Sequence, residues 1–358
     1  MKQVLVAGAS GLVGRGAIRA FAEECEVIAV SRRQPEGVMP TRVIAIDLFD
    51  AQACRSVFSA LKDVTHLVFA ALYEKEGGLL KSWLDPEQIA GNAAMLENLL
   101  EPLVAAAKGL KHVTLLQGTK AYGAHVRQIP LPAREDRDEL KSQPNFYWNQ
   151  EAYLREKQRG QNWTFTILRP QIIFGDALGA AMNPVAAFGL YGALLKERGE
   201  PLYFPGGVRH VFEGVDADLV GRAIRWAGEA EAARNEAFNI TNGDVMTWRD
   251  VWPAIADALG MRVGEDRHTL LAREVPPRSI EWDAIRKKYG LAAPDLMSVA
   301  GKSLDYVDLL MAGDAVRLPA LVSTVKLRRA GFTEMLDSEV MLKSAFAQMQ
   351  ARRLLPPR

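Results

Sequence analysis

The 358-residue sequence has only two cysteines, Cys25 and Cys54. Both fall in segments that read as core elements, so they build neither a disulfide framework nor a metal site. The histidines (His66, His112, His125, His210 and His268) are dispersed without metal-ligand spacing, and none is assigned as a ligand. Charge of one sign is also lacking. A formal net charge of +1 offers no electrostatic footprint for nucleic acid or for an anionic membrane. No apolar stretch approaches bilayer-spanning length. The N-terminal apolar run stops after a few residues at glycines, too short for the core of a signal peptide. Internal repeats and low-complexity segments are missing as well. These absences point to a cytoplasmic protein in a reducing compartment, without metal, membrane or nucleic-acid partner.

What is present is a large apolar complement. Hydrophobic residues make up 49% and charged residues 24%, the balance of a globular chain rather than a disordered one. The length suits one large domain, or a core domain with a smaller lobe. The chain is organised around Val4-Leu-Val-Ala-Gly8-Ala-Ser-Gly11-Leu-Val-Gly14. Its apolar run reads as a buried first strand, and Leu12 to Glu23 as the helix behind it. Between them Gly8, Gly11 and Gly14 follow the spacing G-x-x-G-x-x-G. Glycines turn tightly and let backbone N–H groups approach a pyrophosphate, and the helix N-terminus adds partial positive charge. The three glycines are therefore expected to hold a dinucleotide. The alternative is a tight turn in a generic α/β domain.

Further strands are expected over Glu26 to Ser31, Val43 to Ile46, Thr65 to Ala71, His112 to Gln117 and Trp163 to Leu168. They alternate with helices, including a long one from Pro86 to Lys108. That alternation predicts an α/β, Rossmann-like, doubly wound parallel sheet. NAD-selective folds place an acid at the end of the second strand to hold the ribose 2′-hydroxyl. Here stand Ser31, Arg32 and Arg33, whose guanidinium groups suit a 2′-phosphate, so the expected cofactor is NADP(H). The competing reading is a solvated basic turn. Asp47, with Leu48 beyond the third strand, can accept from an adenine amino group or cap the helix beginning near Ala51. Ala70 and Ala71 would let a cofactor lie close to the sheet edge. Ligands of such sheets bind beyond the carboxyl ends of the strands, where Gln117, Gly118, Thr119 and Lys120 fall. The polar loop from Gly123 to Pro144 is long enough to be functional.

Residues 1–175 are expected to form the NADP-binding domain, with 208–240 returning to it. Residues 176–207 and 241–358 are expected to form a smaller, mostly helical substrate-side lobe. Its aromatics, Trp248 and Trp252 among them, read as core rather than pocket.

Carbonyl chemistry with NADPH needs a group that polarises or protonates an oxygen, usually a tyrosine assisted by a lysine ammonium. A Tyr-x-x-x-Lys pair exists at Tyr153 and Lys157, on one helical face. It lies late in its helix, only a few residues before Gly160, and reads as a decoy. Tyr147 lies early in the same helix, but its i+4 neighbour is Glu151. Lys120, just past the fifth strand, is placed to supply the missing cation. Tyr147 and Lys120 are therefore the expected catalytic pair. The competing reading of Tyr147 is a buried aromatic in an Asn-Phe-Tyr-Trp packing cluster.

Several segments carry a family resemblance: Gly8 to Gly14, Ser31 to Arg33, Leu116-Gln-Gly-Thr-Lys120-Ala-Tyr122-Gly, Pro144-Asn-Phe-Tyr147 and Arg169-Pro170 with Ile173-Phe-Gly175. Met182-Asn183, Asp216-Ala-Asp218-Leu, and Asn235-Glu-Ala-Phe-Asn239 with Asn242-Gly-Asp244-Val extend it over most of the chain. On these the sequence resembles the progesterone 5β-reductase / iridoid synthase-like enone reductases, an atypical branch of the extended short-chain dehydrogenases. The resemblance implies NADPH-dependent reduction of an activated C=C bond. Hydride would go to the β-carbon of an α,β-unsaturated carbonyl, while Tyr147 stabilises the enolate oxygen and Lys120 supports it. It also implies cofactor contacts from Gly11, Leu12, Val13, Arg32, Arg33, Asp47, Leu48, Ala71, Gln117, Tyr147, Ile173, Ala180, Ala181 and Met182.

The sequence departs from the family in three places. Trp148 replaces a second tyrosine, Lys120-Ala-Tyr122-Gly-Ala-His125 replaces a Lys-His-Tyr motif with Gly-Pro-Phe, and Val126 stands where a pocket aromatic is expected. These changes alter the pocket rather than the reaction, so neither a plant steroid nor an iridoid is implied as substrate. The alternatives to an enone reductase are a carbonyl reductase or nucleotide-sugar-type epimerase of the extended family, and a non-catalytic NADP-sensing regulator. The partner is a small-molecule enone or carbonyl compound, with a homodimer left open.

Overall fold

Val4, Leu5, Val6 and Ala7 are fully buried. A strand without a solvent-facing side has to lie inside a sheet covered on both faces. The computed structural model describes residues 2–75, 81–207, 209–311 and 319–358. In chain order the strands are β1 (Gln3–Ala7), β2 (Glu26–Ser31), β3 (Arg42–Ala45), β4 (His66–Phe69), β5 (His112–Leu116) and β6 (Thr164–Pro170). There follow β7 (Ile172–Phe174), β8 (Leu202–Phe204), β9 (Gly214–Asp216), β10 (Glu236–Ile240) and β11 (Val263–Asp266). The helices begin with α1 (Leu12–Phe21), α2 (Ala51–Phe58), α3 (Pro86–Ala106), α4 (Phe146–Gln158), α5 (Pro184–Glu197) and α6 (Ala217–Ala227). They continue with α7 (Trp248–Ala258), α8 (Leu271–Glu274), α9 (Ser279–Tyr289), α10 (Leu296–Ala300), α11 (Ser303–Met311), α12 (Val325–Arg329) and α13 (Ser338–Ala351).

The chain divides into two units. The first comprises Met1–Gln171, Ala217–Ile240 and Ala320–Glu334. Its sheet runs β3-β2-β1-β4-β5-β6-β10, with every neighbouring pair parallel. This is the doubly wound order, with its switch point between β1 and β4. Leu5, Ile28, Leu67, Val113 and Ile167 carry the core from strand to strand, under Leu96, Leu99 and Leu100 of α3. Gly16 of α1 meets α6 so closely that a Cβ there would stand 2.0 Å from the Ala217 carbonyl oxygen. A Cβ on Gly221 would likewise stand 2.2 Å from the Gly16 oxygen. Near the end of β6 the fully buried Arg169 donates to Gln117 Oε1 (2.8 Å), Tyr122 Oη (3.2 Å) and Glu139 Oε1 (2.6 Å). Tyr122 in turn donates to Asn239 Oδ1 at 2.6 Å.

The second unit comprises Ile172–Asp216, Thr241–Pro319 and Met335–Arg358. It is mostly helical, with two small parallel pairs, β7 with β9 and β8 with β11. Trp248, Trp252 and Trp282 are buried in its core, as their composition suggested. Phe188 packs edge-on to Trp248 and Trp252, at ring separations of 5.2 and 5.1 Å.

Three details differ from the sequence expectation. Residues 320–334 belong to the first unit rather than to the lobe, because α12 packs on β10 and the chain bridges Ala133 to Val322. Ile173 falls in the second unit, since β6 runs on through Pro170 beside Ile240 before the chain leaves the sheet. Cys25 sits half-buried in the turn after α1 rather than in a core element, while Cys54 is buried in α2. Val208, the expected start of the returning segment, and 312–318 of the expected lobe lie outside the described residues. No helix among the described residues is long and apolar enough to cross a membrane.

Candidate active site

The turn after β1 is built for close backbone approach. Gly8 adopts a φ of +80°, and a Cβ on it would stand 2.5 Å from the Ala70 carbonyl oxygen. A Cβ on Gly14 would stand 2.2 Å from the Gly8 oxygen. Larger residues at either position would push the turn off the sheet. Gly11 is the N-cap of α1, so no side chain occupies the helix end, and the first turn holds no acid. The N–H groups of Leu12 and Val13 thus open α1 with its partial positive charge unopposed, which fits a dinucleotide pyrophosphate. Ala71 is half-buried just past β4.

Ser31 ends β2 and its hydroxyl donates to the Arg33 carbonyl, bending the chain there. Arg32 and Arg33 are exposed, so both guanidinium groups are available to an incoming phosphate. Asp47 is exposed beyond β3, its carboxylate accepting from the Phe49 N–H at 3.0 Å. It is not the cap of α2. Asp50 holds that position and accepts from the Ala53 N–H, because a cap must directly precede the first helical turn. Leu48 is buried, and its carbonyl accepts from Asn98.

The residues expected to do chemistry come from two elements of the first unit. Lys120 stands in a short turn, Thr119–Tyr122, directly after β5. Tyr147 stands in the first turn of α4. Asn145 joins them: its side chain caps α4 by accepting from the Tyr147 N–H (3.1 Å) and donates to the Lys120 carbonyl (3.2 Å). Gly118 leaves room for the phenol, since a Cβ there would lie 3.3 Å from Tyr147 Oη. Gln117 is committed to the scaffold through its side chain, which donates to the Tyr147 carbonyl and to Glu151 and accepts from Arg169. Glu151, at i+4 from Tyr147, thereby fastens α4 to the sheet.

Tyr147 is also a packed aromatic, as the competing reading held. It meets Trp83 and Phe146 edge-on, at ring separations of 5.3 and 4.8 Å. Its hydroxyl nonetheless has no hydrogen-bond partner among the described residues. Burial, with the Glu74 carboxylate, pushes the phenol above its ordinary range against the pull of Arg169. It is held as a neutral donor. The Lys120 ammonium lies over the face of the Trp83 indole, 3.9 Å from its centroid. Burial brings that ammonium down to about 8, with Glu74 opposing the shift.

Trp83, Glu74 and His125 complete this wall and were not among the expected residues. Trp83 comes from a short turn, Lys81–Leu84, whose spacing carries no motif. The other tyrosine–lysine pair is engaged elsewhere. Tyr153 Oη donates to Glu101 at 2.8 Å, and Lys157 pairs with the same carboxylate at 2.5 Å. Ile173, Ala180, Ala181 and Met182 lie in the second unit, where the Ala180 carbonyl accepts from Ser303 at 2.9 Å. Val126 is exposed rather than part of a wall.

The family model for the NAD dependent epimerase/dehydratase family matches residues 4–241. The (S)-8-oxocitronellyl enol synthase of Catharanthus roseus is 28% identical over 98% of this chain and 92% of its own length. The 3-oxo-Delta(4,5)-steroid 5-beta-reductase of Arabidopsis thaliana is 33% identical over 73% of this chain and 68% of its own. The crystal structure of Thermus thermophilus UDP-glucose 4-epimerase in complex with NAD superposes with a TM-score of 0.64 at 19% identity, covering 97% of this chain and 99% of that one. The chain belongs to the NAD dependent epimerase/dehydratase family, the extended short-chain dehydrogenases. Within it, the chain stands in the progesterone 5β-reductase / iridoid synthase-like branch and is an oxidoreductase.

Proposed function

We propose that the chain is an NADPH-dependent reductase of activated C=C bonds in α,β-unsaturated carbonyl compounds. The observation that carries this reading is a neutral Tyr147 hydroxyl without a partner among the described residues, on a backbone that Asn145 ties to that of Lys120 at the carboxyl edge of the sheet. The named activities of the relatives support it. Bound NADPH supplies the hydride. Gly8, Gly11, Leu12, Val13 and Gly14 hold the pyrophosphate, and Ser31, Arg32 and Arg33 receive the 2′-phosphate. Asp47, Leu48 and Ala71 complete the contacts, together with the backbone of Gln117.

Tyr147 donates its hydroxyl hydrogen bond to the substrate carbonyl oxygen and stabilises the charge that develops there. Lys120 lends positive charge to the same region at neutral pH, and Trp83 keeps water from its far side. A donor that stays protonated suits an oxygen gaining negative charge, whereas an epimerase base would have to accept a proton. Engagement of Tyr153 and Lys157 with Glu101 weighs against a carbonyl reductase or epimerase that uses that pair. Retention of Tyr147 and Lys120 weighs against a mere NADP sensor.

The test is NADPH consumption with an enone and its saturated ketone, in small-ring and steroid sizes, with the products identified. Oxidation with the enone alone, giving the saturated ketone, is expected. Alcohols from both substrates would transfer the protein to the carbonyl reductases. Saturable NADPH binding without turnover would favour the sensor.

A further inference from the structure

Three polar atoms on the wall beside Tyr147 are buried without a hydrogen-bond partner among the described residues: Glu74 Oε2 and both ring nitrogens of His125. Native interiors leave few such atoms, so three around one indole call for a ligand. The other carboxylate oxygen, Glu74 Oε1, accepts from the Trp83 indole N–H at 3.2 Å, which fixes the side chain and leaves Oε2 to serve something else. His125 faces the same indole with ring centroids 6.3 Å apart. Lys120 lies over that indole at 3.9 Å, and its charge acts on both Glu74 and His125. Tyr147 closes the set at 5.3 Å from Trp83.

We propose that Glu74 and His125, set around Trp83, form a subsite for a hydroxyl group carried by the substrate in addition to its reacting carbonyl. This rests on the reading of Tyr147 and Lys120 as the carbonyl site. The chemistry selects the group. A carboxylate oxygen only accepts, so Glu74 Oε2 requires a donor. Neutral imidazole has one N–H and one bare nitrogen, so His125 can donate to the same group. A hydroxyl gives its hydrogen to Glu74 and takes one from His125. A second carbonyl has nothing to give Glu74, and an ammonium would meet Lys120.

The experiment compares cyclohexenone with its monohydroxylated ring isomers, using NADPH and the full-length protein. At least one hydroxy isomer is expected to exceed cyclohexenone in kcat/KM by about tenfold or more. In Glu74→Gln, which keeps an acceptor for Trp83 but presents an N–H in place of Oε2, that ratio falls toward one. In His125→Phe, which keeps the ring volume, it also falls toward one. No preference in the parent, or an unchanged ratio in both variants, overturns the proposal. If no enone is turned over, the enone reading fails separately. The subsite is then read by calorimetry of cyclohexanone and hydroxycyclohexanones on the NADP⁺-loaded protein. The same preference is expected there, and equal affinities overturn the subsite.

Discussion

Lys120 Nζ stands 3.9 Å from the centre of the Trp83 indole and makes no hydrogen bond to Tyr147 among the described residues. The two residues share a wall but not a bond. Lys120 therefore acts on the region of the carbonyl oxygen as a charge, and Tyr147 acts as a neutral donor. Cation and indole face attract each other, which holds the ammonium without consuming its donors.

Tyr147→Phe removes the donor and keeps the ring packed between Trp83 and Phe146. Turnover is expected to fall by about a hundredfold to a thousandfold. NADPH affinity, measured by titration, is expected to change little. Tyr153→Phe is the control: its hydroxyl serves Glu101, so its activity should stay within about twofold of the parent. Equal activity of Tyr147→Phe and the parent on every accepted enone would remove Tyr147 from the reaction.

Charge on Lys120 gives the rate a pH limb. Its ammonium titrates near 8, so the positive charge is present below that pH and lost as pH rises through it. The rate is expected to decline above about pH 8, approaching tenfold per unit once the neutral form dominates. Lys120→Met should be slower at neutral pH and lack this limb. A parent profile flat to pH 10 would contradict the assignment.

Arg32 and Arg33 are exposed and their charges are free to meet a 2′-phosphate. Replacing both by alanine is expected to raise the KM for NADPH by about tenfold or more and to leave that for NADH nearly unchanged. An unaltered preference would make the pair a solvated turn.

His66 and His112 lie with their rings tilted and 6.4 Å apart between centroids, buried in adjacent strands. Burial lowers them to about 4 and about 3, respectively. In the unfolded chain both return to the ordinary value near 6.5, so unfolding takes up protons in acid. The stability they confer is complete above pH 6.5 and is lost as pH falls toward 4. At pH 5 each costs about 2 kcal/mol relative to neutral pH. Denaturant midpoints at pH 7 and pH 5 should show this loss, and His66→Gln should reduce it.

Local signals were legible in the sequence. The strand, glycine turn and helix from Val4 to Phe21 lie contiguous in the chain, and their chemistry is set by missing Cβ atoms. Tyr147 was separable from Tyr153 by position within one helix. The choice at Asp47 between an adenine contact and a cap stayed open because two aspartates stand within one turn's reach of α2, and only the backbone path selects Asp50 as the cap. Trp83, Glu74 and His125 had no signature. They meet through a short turn and the segment after Lys120, and no period in the sequence records that meeting. The lobe's pairing of β7 with β9 escaped for a similar reason: both have three residues, too few for alternation to emerge.

The backbone contact of Gly16 with Gly221 joins the helix behind the nucleotide turn to a segment made roughly two hundred residues later, a contact of very high sequence separation. During synthesis the first six strands of the sheet leave the ribosome with that face of α1 bare. Docking of α6 and insertion of β10 beside β6 are then late events, which the ring-closure entropy of a long intervening lobe slows further. The nucleotide turn thus becomes rigid only after Ile240 has been made, and a nascent chain halted before Ala217 offers its cofactor an unfinished seat.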